Sequence, residues 1–574
     1  MTLTDLLEEF NVVIDTPQGL TELRSLILGL AVRGKLVSQD PNDEPASELL
    51  RKIEDEKQRL YMEGEIRKPK KLDFVSDREL PFDIPESWEW CRLGKIYGDI
   101  GTTNPESKFS YIDVGSIDNS LFEIDYNEVE NIPAEDAPSR ARREVKDGSV
   151  VYSTVRPYLM NVAIVKYIFD FKPIASTAFE VINVFEGILN KYVYRYLLSD
   201  PFLDYVNFKM VGVAYPAINK GDMQSAIISI PPTAEQHRIV QRIETLFAEV
   251  DELEVKLNRQ TKLDEKLQMA VNAEVQKAPD AEASKSAWTF ITSNFDTLYL
   301  TPKAIDNLKK NILNEAVRGR LVPQNPNDEP ASALLKKIET EKQRLYDGGE
   351  IRKPKDLPPV DEDEIPFEIP ESWEWIKFNE VSDFINGDRG KNYPNKSEYV
   401  DDGIAWINTG HIEPDGTLTT VDMNFITEEK YDSLRSGKIK KTDLVYCLRG
   451  ATFGKTSFVT PYEKGAIASS LMIIRPFIIE MNQYIFKYLV SPVGRKQLFR
   501  FDNGSAQPNL SATSVRKYQF PLPPLEEQHR IVRHIEELFA MCNRFKDQLK
   551  QRKKVNERLV KGLVGEVLEG DYHN

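Results

Sequence analysis

Residues 31–61 read AVRGKLVSQDPNDEPASELLRKIEDEKQRLY, and residues 316–346 read AVRGRLVPQNPNDEPASALLKKIETEKQRLY. Only 6 of the 31 positions differ, at a constant offset of 285 and with no gap. The match extends to IPESWEW, present at 84–90 and again at 369–375. A long-period internal repeat governs the reading of everything between its copies. Here it makes the chain two homologous halves in one polypeptide, an internal pseudo-two-fold repeat.

Within each half the repeated stretch predicts helices. Leu20, Leu23, Leu26, Ile27 and Leu30 fall on one helical face, and Gly34 suits the left-handed position that closes a helix; Gly319 holds the same place in the second copy. PNDEPAS then reads as a turn with capping residues. Ser47 precedes a helix that carries Leu49, Leu50, Ile53 and Leu60 inward, with Glu48 and Lys52 paired at i,i+4. IRKPKK at 66–71 ends that helix, and IRKPK recurs at 351–355. A phosphate contact there competes with a simple solvated helix exit.

IPESWEW opens a module in each half, with alternating Trp88/Trp90 and Trp373/Trp375 predicting an entry strand with one ring in a core. The body of each module is rich in β-branched and aromatic residues broken by Gly, Pro, Asn and Asp, with helices at 190–200 and 483–491. Outside such landmarks the two inserts barely resemble each other. Each closes with a related segment, 211–232 and 503–524, at offset 292. A second strong repeat comes next, EQHRIVQRIETLF from Glu235 and EQHRIVRHIEELF from Glu527. Thr233 and Gln236 suit a capping box. Ile239, Ile243, Leu246, Val250, Leu253 and Leu257 step by fours and threes, as do Ile531, Ile535, Leu538, Cys542, Phe545 and Leu549. That heptad spacing predicts two long helices packed as a coiled coil, over about 28 Å at about 1.5 Å per residue. QKAPDAEASKSAW (276–288) reads as a linker between the halves.

The expected architecture is therefore α/β (α+β). Two globular domains are separated by two long antiparallel helices that form a coiled coil. Its boundaries are a helical region 1–83, module 84–232, long helix 233–275, linker 276–303, second helical region 304–368, module 369–524 and long helix 525–574. At 574 residues several domains are required in any case, because single cores rarely exceed about 300 residues. No apolar run is long enough to cross a membrane, the first residues lack a signal-peptide pattern, and three scattered cysteines fit a reducing cytoplasm.

Catalytic tools are missing from this sequence. RGATFGKTS (449–457) has three residues between its glycines where a P-loop needs four. PDAEASK has the wrong spacing for a nuclease, no (N/D)PP(Y/F) methyltransferase motif occurs, and none of the five histidines sits in a metal-ligand pattern. Charge is more informative. The chain carries a net −16, yet residues 138–220 hold 11 Lys/Arg against 7 Asp/Glu, and residues 431–520 hold 14 against 5. Basic windows inside an acidic molecule fit specific phosphate-contacting surfaces. Two divergent basic modules on two equivalent helices describe a ruler holding two DNA readers, whose half-site spacing follows from geometry.

The doubled VRGKLV/VRGRLV–PNDEPAS element, IPESWEW before each module, and PP–x–x–EQHRIV after it together resemble the specificity subunit of type I restriction–modification enzymes. The resemblance covers nearly the whole chain. It implies two target recognition domains reading a bipartite, asymmetric site in double-stranded DNA. It also implies two methyltransferase subunits as partners, with restriction subunits recruited through them. S-adenosylmethionine for adenine N6 methylation, and ATP and Mg²⁺ for cleavage, would belong to those subunits, leaving no cofactor in this chain. The first copy departs in one place: GVAYPAINK puts Tyr215 and Ala217 where the second has Gln507 and Asn509.

Candidate DNA contacts are Arg140, Arg142, Arg143, Arg156, Tyr158, Lys209 and Lys220 in the first module. In the second they are Arg449, Lys455, Arg495, Lys496, Arg500, Gln507, Arg516 and Lys517. Arg pairs bidentately with guanine and Gln with adenine, whereas Lys meets phosphate. Two rival readings remain, a coiled-coil scaffold that reads no sequence and a fused methyltransferase. The charge window at 431–520 opposes the first and the missing motifs the second.

Overall fold

The computed structural model describes residues 17–212, 216–277, 281–353, 357–450, 453–501 and 510–569. They form two compact units, Met1–Gln260 with Lys553–Asn574, and Thr261–Arg552.

In the first unit α1 (Pro17–Val32) buries Leu20, Leu23, Leu26, Ile27 and Leu30, the face their three- and four-residue spacing demands. Gly34 ends the turn after it at φ 72°, and a Cβ there would lie 2.5 Å from Pro85 Cγ. Gly319 repeats both features against Pro370, so glycine is obligatory twice for the same reason. α2 (Ala46–Met62) buries Leu49 and Ile53, with Leu50 and Leu60 packed at the edge. Its charge pairing differs from the expected one. Lys52 reaches back to Glu44 at 2.6 Å, and Glu48 pairs with Arg51 at 3.2 Å.

The first module consists of β1 (Glu89–Arg92), β2 (Tyr97–Gly98), β3 (Phe109–Ile112), β4 (Glu130–Ile132), β5 (Ala141–Glu144), β6 (Val150–Ser153), β7 (Val162–Ile164), β8 (Pro173–Ser176), β9 (Phe179–Val184) and β10 (Ile227–Ile230). Three helices join them, α3 (Asn190–Leu197), α4 (Asp200–Lys209) and α5 (Lys220–Ser225). β1 pairs antiparallel with β10, so the chain enters and leaves the module through one two-stranded ribbon. Inside lie two four-stranded sheets, ordered β4-β3-β8-β5 and β2-β9-β6-β7, with β3 and β8 parallel. The long helix α6 (Thr233–Lys277) follows at once, 45 residues in one piece.

The second unit opens with α7 (Ala281–Ser293), α8 (Pro302–Val317) and α9 (Ala331–Asp347). This corrects the expected linker: Trp288, Ile291, Phe295, Leu298 and Tyr299 are all buried in this unit's core. Its module uses β11 (Glu374–Lys377), β12 (Ser382–Asn386), β13 (Ile404–Ile407), β14 (Asn424–Ile426), β15 (Leu444–Cys447), β16 (Thr456–Phe458), β17 (Gly465–Ile467), β18 (Leu471–Pro476) and β19 (Gln519–Leu522). The helices α10 (Asn482–Val490), α11 (Pro492–Arg500) and α12 (Ala512–Arg516) lead to α13 (Leu525–Glu569), again 45 residues. The sheets run β12-β18-β15-β16 and β14-β13-β17, with β13 and β17 parallel and β11 paired to β19. Despite their divergent sequences, the modules share one topology. At the place of β5 the second has only an isolated bridge, Lys438 to Ala466.

The heptad stripes bury within their own units. Ile239, Ile243, Leu246 and Val250 lie in the core that holds the α1 leucines, and Ile531, Ile535, Leu538 and Cys542 lie in that of the second unit. α6 begins in the first unit and ends in the second, and α13 does the reverse. Each core is completed by the far end of the other long helix. Val567 joins the first, and Lys35 Nζ donates to Leu568 O at 2.9 Å. Val275 joins the second, with Tyr299 Oη donating to Asn272 Oδ1 at 3.2 Å.

What joins the repeated motifs is a buried polar network that occurs twice. Glu235 accepts from Trp88 Nε1 at 3.0 Å and from Gln39 Nε2 at 2.7 Å, while Ser87 donates to Gln39 Oε1. Glu527 accepts from Trp373 Nε1 at 3.0 Å and from Gln324 Nε2 at 2.7 Å, while Ser372 donates to Gln324. Arg238 and Arg530 bind Asp43 and Asp328 one turn further along. The network explains why three separated motifs repeat together. The expected capping box at Thr233 is replaced by these ties: Thr233 Oγ1 and Gln236 Nε2 donate to Gly187 O, and Gln236 Oε1 accepts from Leu189 N.

Candidate nucleic-acid interface

The connection leaving β6 is the most constrained turn of the first module. Arg156 and Met160 both take left-handed backbone conformations, at φ 47° and 50°. Tyr152 Oη donates to Pro157 O between them, and Arg156 N donates to Pro216 O at 2.7 Å. The segment after α4 is thereby pinned to the turn, with Ile218 N donating to Thr154 O. The second module repeats this geometry after β15. Gly450 and Gly454 occupy the matching left-handed positions at φ 86° and 78°, and Leu510 N donates to Leu448 O. The glycines of RGATFGKTS therefore serve the turn between the antiparallel β15 and β16.

The candidate residues separate into three groups. Arg140, Arg156 and Tyr158 are exposed in the first module, and Arg495, Lys496 and Lys517 in the second. Lys209, Arg449 and Lys455 are half-buried; Lys209 Nζ lies 5.8 Å from the Phe208 ring, and Arg449 Nε is buried without a hydrogen-bond partner among the described residues. The remaining described ones are engaged by other groups of the protein, Arg500 while exposed and the others half-buried. Arg142 Nη1 donates to Ala141 O, Arg143 lies 3.7 Å from Glu180, and Lys220 pairs with Asp99 at 2.6 Å. Arg500 pairs with Glu364 at 2.6 Å, and Arg516 Nη2 donates to Phe384 O at 3.0 Å. Gln507 lies outside the described residues.

Burial explains the engagement of Arg143 and Lys220. Glu180 is 2% exposed, and loss of water pushes its carboxyl above the usual range while Lys220, Tyr97 and Arg143 pull it back. Both cations thus serve a buried carboxylate. His411 is structural as well: burial lowers its pKa, and its Nδ1 accepts from Asn408 N.

Composition did not flag two exposed phenylalanines. Phe208 is 83% exposed at the end of α4, beside Val211, and Phe499 is 67% exposed near the end of α11. Both stand out of register with the buried face of their helices, which is the signal that would have found them. An apolar ring amid basic side chains can insert between base steps or stack on an opened base. Among the described residues no group of side chains could hold a metal ion, and no helix is long and apolar enough to cross a membrane.

A duplicated frame that carries two topologically matched modules with exposed basic and aromatic side chains defines a two-reader nucleic-acid-recognition protein. The model for the type I restriction modification DNA specificity domain matches residues 91–263 and 370–553. The chain is 32% identical over 569 residues to the type I restriction enzyme EcoAI specificity subunit of Escherichia coli, covering 95% of this chain and 93% of that one. It is 31% identical over 572 residues to the EcoEI specificity subunit of the same species, covering 96% and 94%. A solved chain from work on complex assembly and conformational transition of the type I R-M system superposes with a TM-score of 0.55 at 22% identity, over 86% of this chain and all of that one. The chain belongs to the family of type I restriction–modification specificity subunits, the non-catalytic DNA-recognition components of these systems.

Proposed function

We propose that the chain reads a bipartite, asymmetric duplex sequence with a nonspecific spacer, one half per target recognition domain. One observation supports this above all. The two modules share a topology, but equivalent positions carry different chemistry: Arg156 against Gly450, Val155 against Arg449, and Lys220 against Ala512. A common frame with different readers is what two unlike half-sites require. The repeated frame would present one surface twice and so recruit two methyltransferase subunits, with restriction subunits joining through them. S-adenosylmethionine, ATP and Mg²⁺ would act on those partners, in a bacterial or archaeal cytoplasm, with adenine N6 as the methylated atom. The test is methylation mapping in a host that carries the chain with its partner subunits. Arg156→Ala and Arg449→Ala should each relax the modified motif in one half only, a different half for each. Relaxation of both halves together by either variant would sink the reading.

A further inference from the structure

A cavity of about 370 Å³ opens in the first unit beneath the residues that follow α2. Its wall carries Lys57, Arg67, Lys68, Lys70 and Lys220 against the single carboxylate of Asp99. Asp99 is already paired with Lys220, and Arg67 Nη2 donates to Thr102 Oγ1 at 2.8 Å. Lys68 and Lys70 are exposed and form no ion pair among the described residues.

The floor is the decisive feature. Lys57 is 5% exposed, and its ammonium meets two carbonyls, Gly94 O at 3.0 Å and Lys95 O at 3.5 Å, and the Phe185 ring at 5.9 Å, while no carboxylate among the described residues forms an ion pair with it. Burial lowers its pKa, with Lys95 adding to the effect and Glu54 opposing it. A buried cation lacking a counter-ion is costly unless something supplies the negative charge.

Two glycines let the IRKPKK segment close over this floor. A Cβ on Gly98 would lie 2.8 Å from Ile66 Cγ2, and one on Gly94 would lie 2.9 Å from Leu72 Cδ1. The other half of the chain has Asn379 and Asp383 at these positions, Glu380 for Lys95, and Ala512 for Lys220. Arg516 stands there in place of Gln224 and donates to Phe384 O. Lys57, Arg67, Lys68 and Lys70 recur in the second half as Lys342, Arg352, Lys353 and Lys355, so these four basic residues belong to the shared frame. The glycine floor and Lys220 are what the first half alone has, and they leave its basic residues around an open cavity.

We propose that this cavity binds a phosphate group, presented either by a free polyphosphate or by the backbone of the bound duplex. Only the second source rests on the DNA-recognition reading. The phosphate would complete the ion pairing of Lys57 from inside while Lys68 and Lys70 approach it from the rim. The experiment titrates sodium pyrophosphate into the full-length chain by calorimetry. It compares the unmodified protein with Lys68→Ala/Lys70→Ala, with Gly98→Asp, and with Lys353→Ala, which alters the second copy's counterpart of Lys68. Saturable binding that weakens by about tenfold or more in the double variant and in Gly98→Asp, and stays unchanged in Lys353→Ala, is the expected result. The exposed lysine pair guards against a folding defect in Gly98→Asp. Displacement of pyrophosphate by duplex, with a shallower salt dependence of duplex binding in the double variant, identifies the backbone as the source. Pyrophosphate binding that duplex does not displace identifies a free polyphosphate. A chain that binds pyrophosphate but no duplex keeps this site and loses the DNA reading instead. No saturable binding, or equal binding by the unmodified protein and the double variant, overturns the proposal.

Discussion

Trp373 Nε1 donates to Glu527 Oε2 at 3.0 Å, tying the motif that opens the second module to the helix that follows it, and Trp88 and Glu235 form the same bond in the first. Each carboxylate is 1% exposed, and its second oxygen is held by a glutamine of the opening repeat. A buried acceptor that loses its donor pays for desolvation without compensation. Trp373→Phe removes that donor and leaves a smaller ring in the buried site. Denaturant unfolding should show a loss of about 1–3 kcal/mol, and the same from Trp88→Phe. Unchanged midpoints in both variants would show that the pair does not join the motifs energetically.

The same carboxylate makes stability depend on pH. Burial raises Glu527 to about 7, against an ordinary value of 4.5, while Trp373 and Gln324 oppose the shift. For an acid raised on folding, the fold prefers the neutral form. The group's contribution is therefore complete below pH 4.5 and is lost as pH rises through about 7. The change across that window is about 3 kcal/mol at about 1.4 kcal/mol per pH unit. Glu527→Gln should flatten the fall in melting temperature between those two values. A profile as steep as that of the unmodified protein would assign the titration to other groups.

Arg156 and Gly450 are equivalent turn residues, but only glycine reaches φ > 0 without steric cost. A strained non-glycine residue in this turn points to a use for its side chain. Arg156→Gly should leave thermal stability unchanged or raise it by up to about 1 kcal/mol. Affinity for the cognate duplex should nevertheless fall by about 1–3 kcal/mol in competition against duplexes altered in one half. A destabilised protein with intact duplex affinity would make Arg156 a structural residue.

Sequence reading reached the frame because the frame repeats almost letter for letter, and a buried network of Trp, Glu, Gln, Ser and Gly tolerates few replacements. The common topology of the modules was out of reach. Their strands are two to six residues long, and burial on both faces, as in Leu444–Cys447, erases the alternation that marks a strand. The helix at Ala281–Ser293 was hidden by its Ala/Ser composition, although Trp288, Ile291, Phe295 and Leu298 step by threes and fours. Which basic residues face solvent was equally illegible. Lys220 meets Asp99 across 121 positions, and no local pattern predicts such a pair.

Arg516 and Lys517 are neighbours in sequence with opposite fates, and this yields a paired test. Arg516 donates to Phe384 O, and its guanidinium carbon lies 5.8 Å from the centre of the Phe384 ring, whereas Lys517 is exposed. Arg516→Ala removes a charged hydrogen bond to a backbone carbonyl and should cost about 1.5–3 kcal/mol of stability. Lys517→Ala should leave the melting temperature in place. If Lys517 meets a backbone phosphate, its loss lowers the slope of log affinity against log salt by about 0.9, uniformly across duplex sequences. A changed preference among duplexes would instead place Lys517 at a base edge, and an unchanged slope would remove it from the interface.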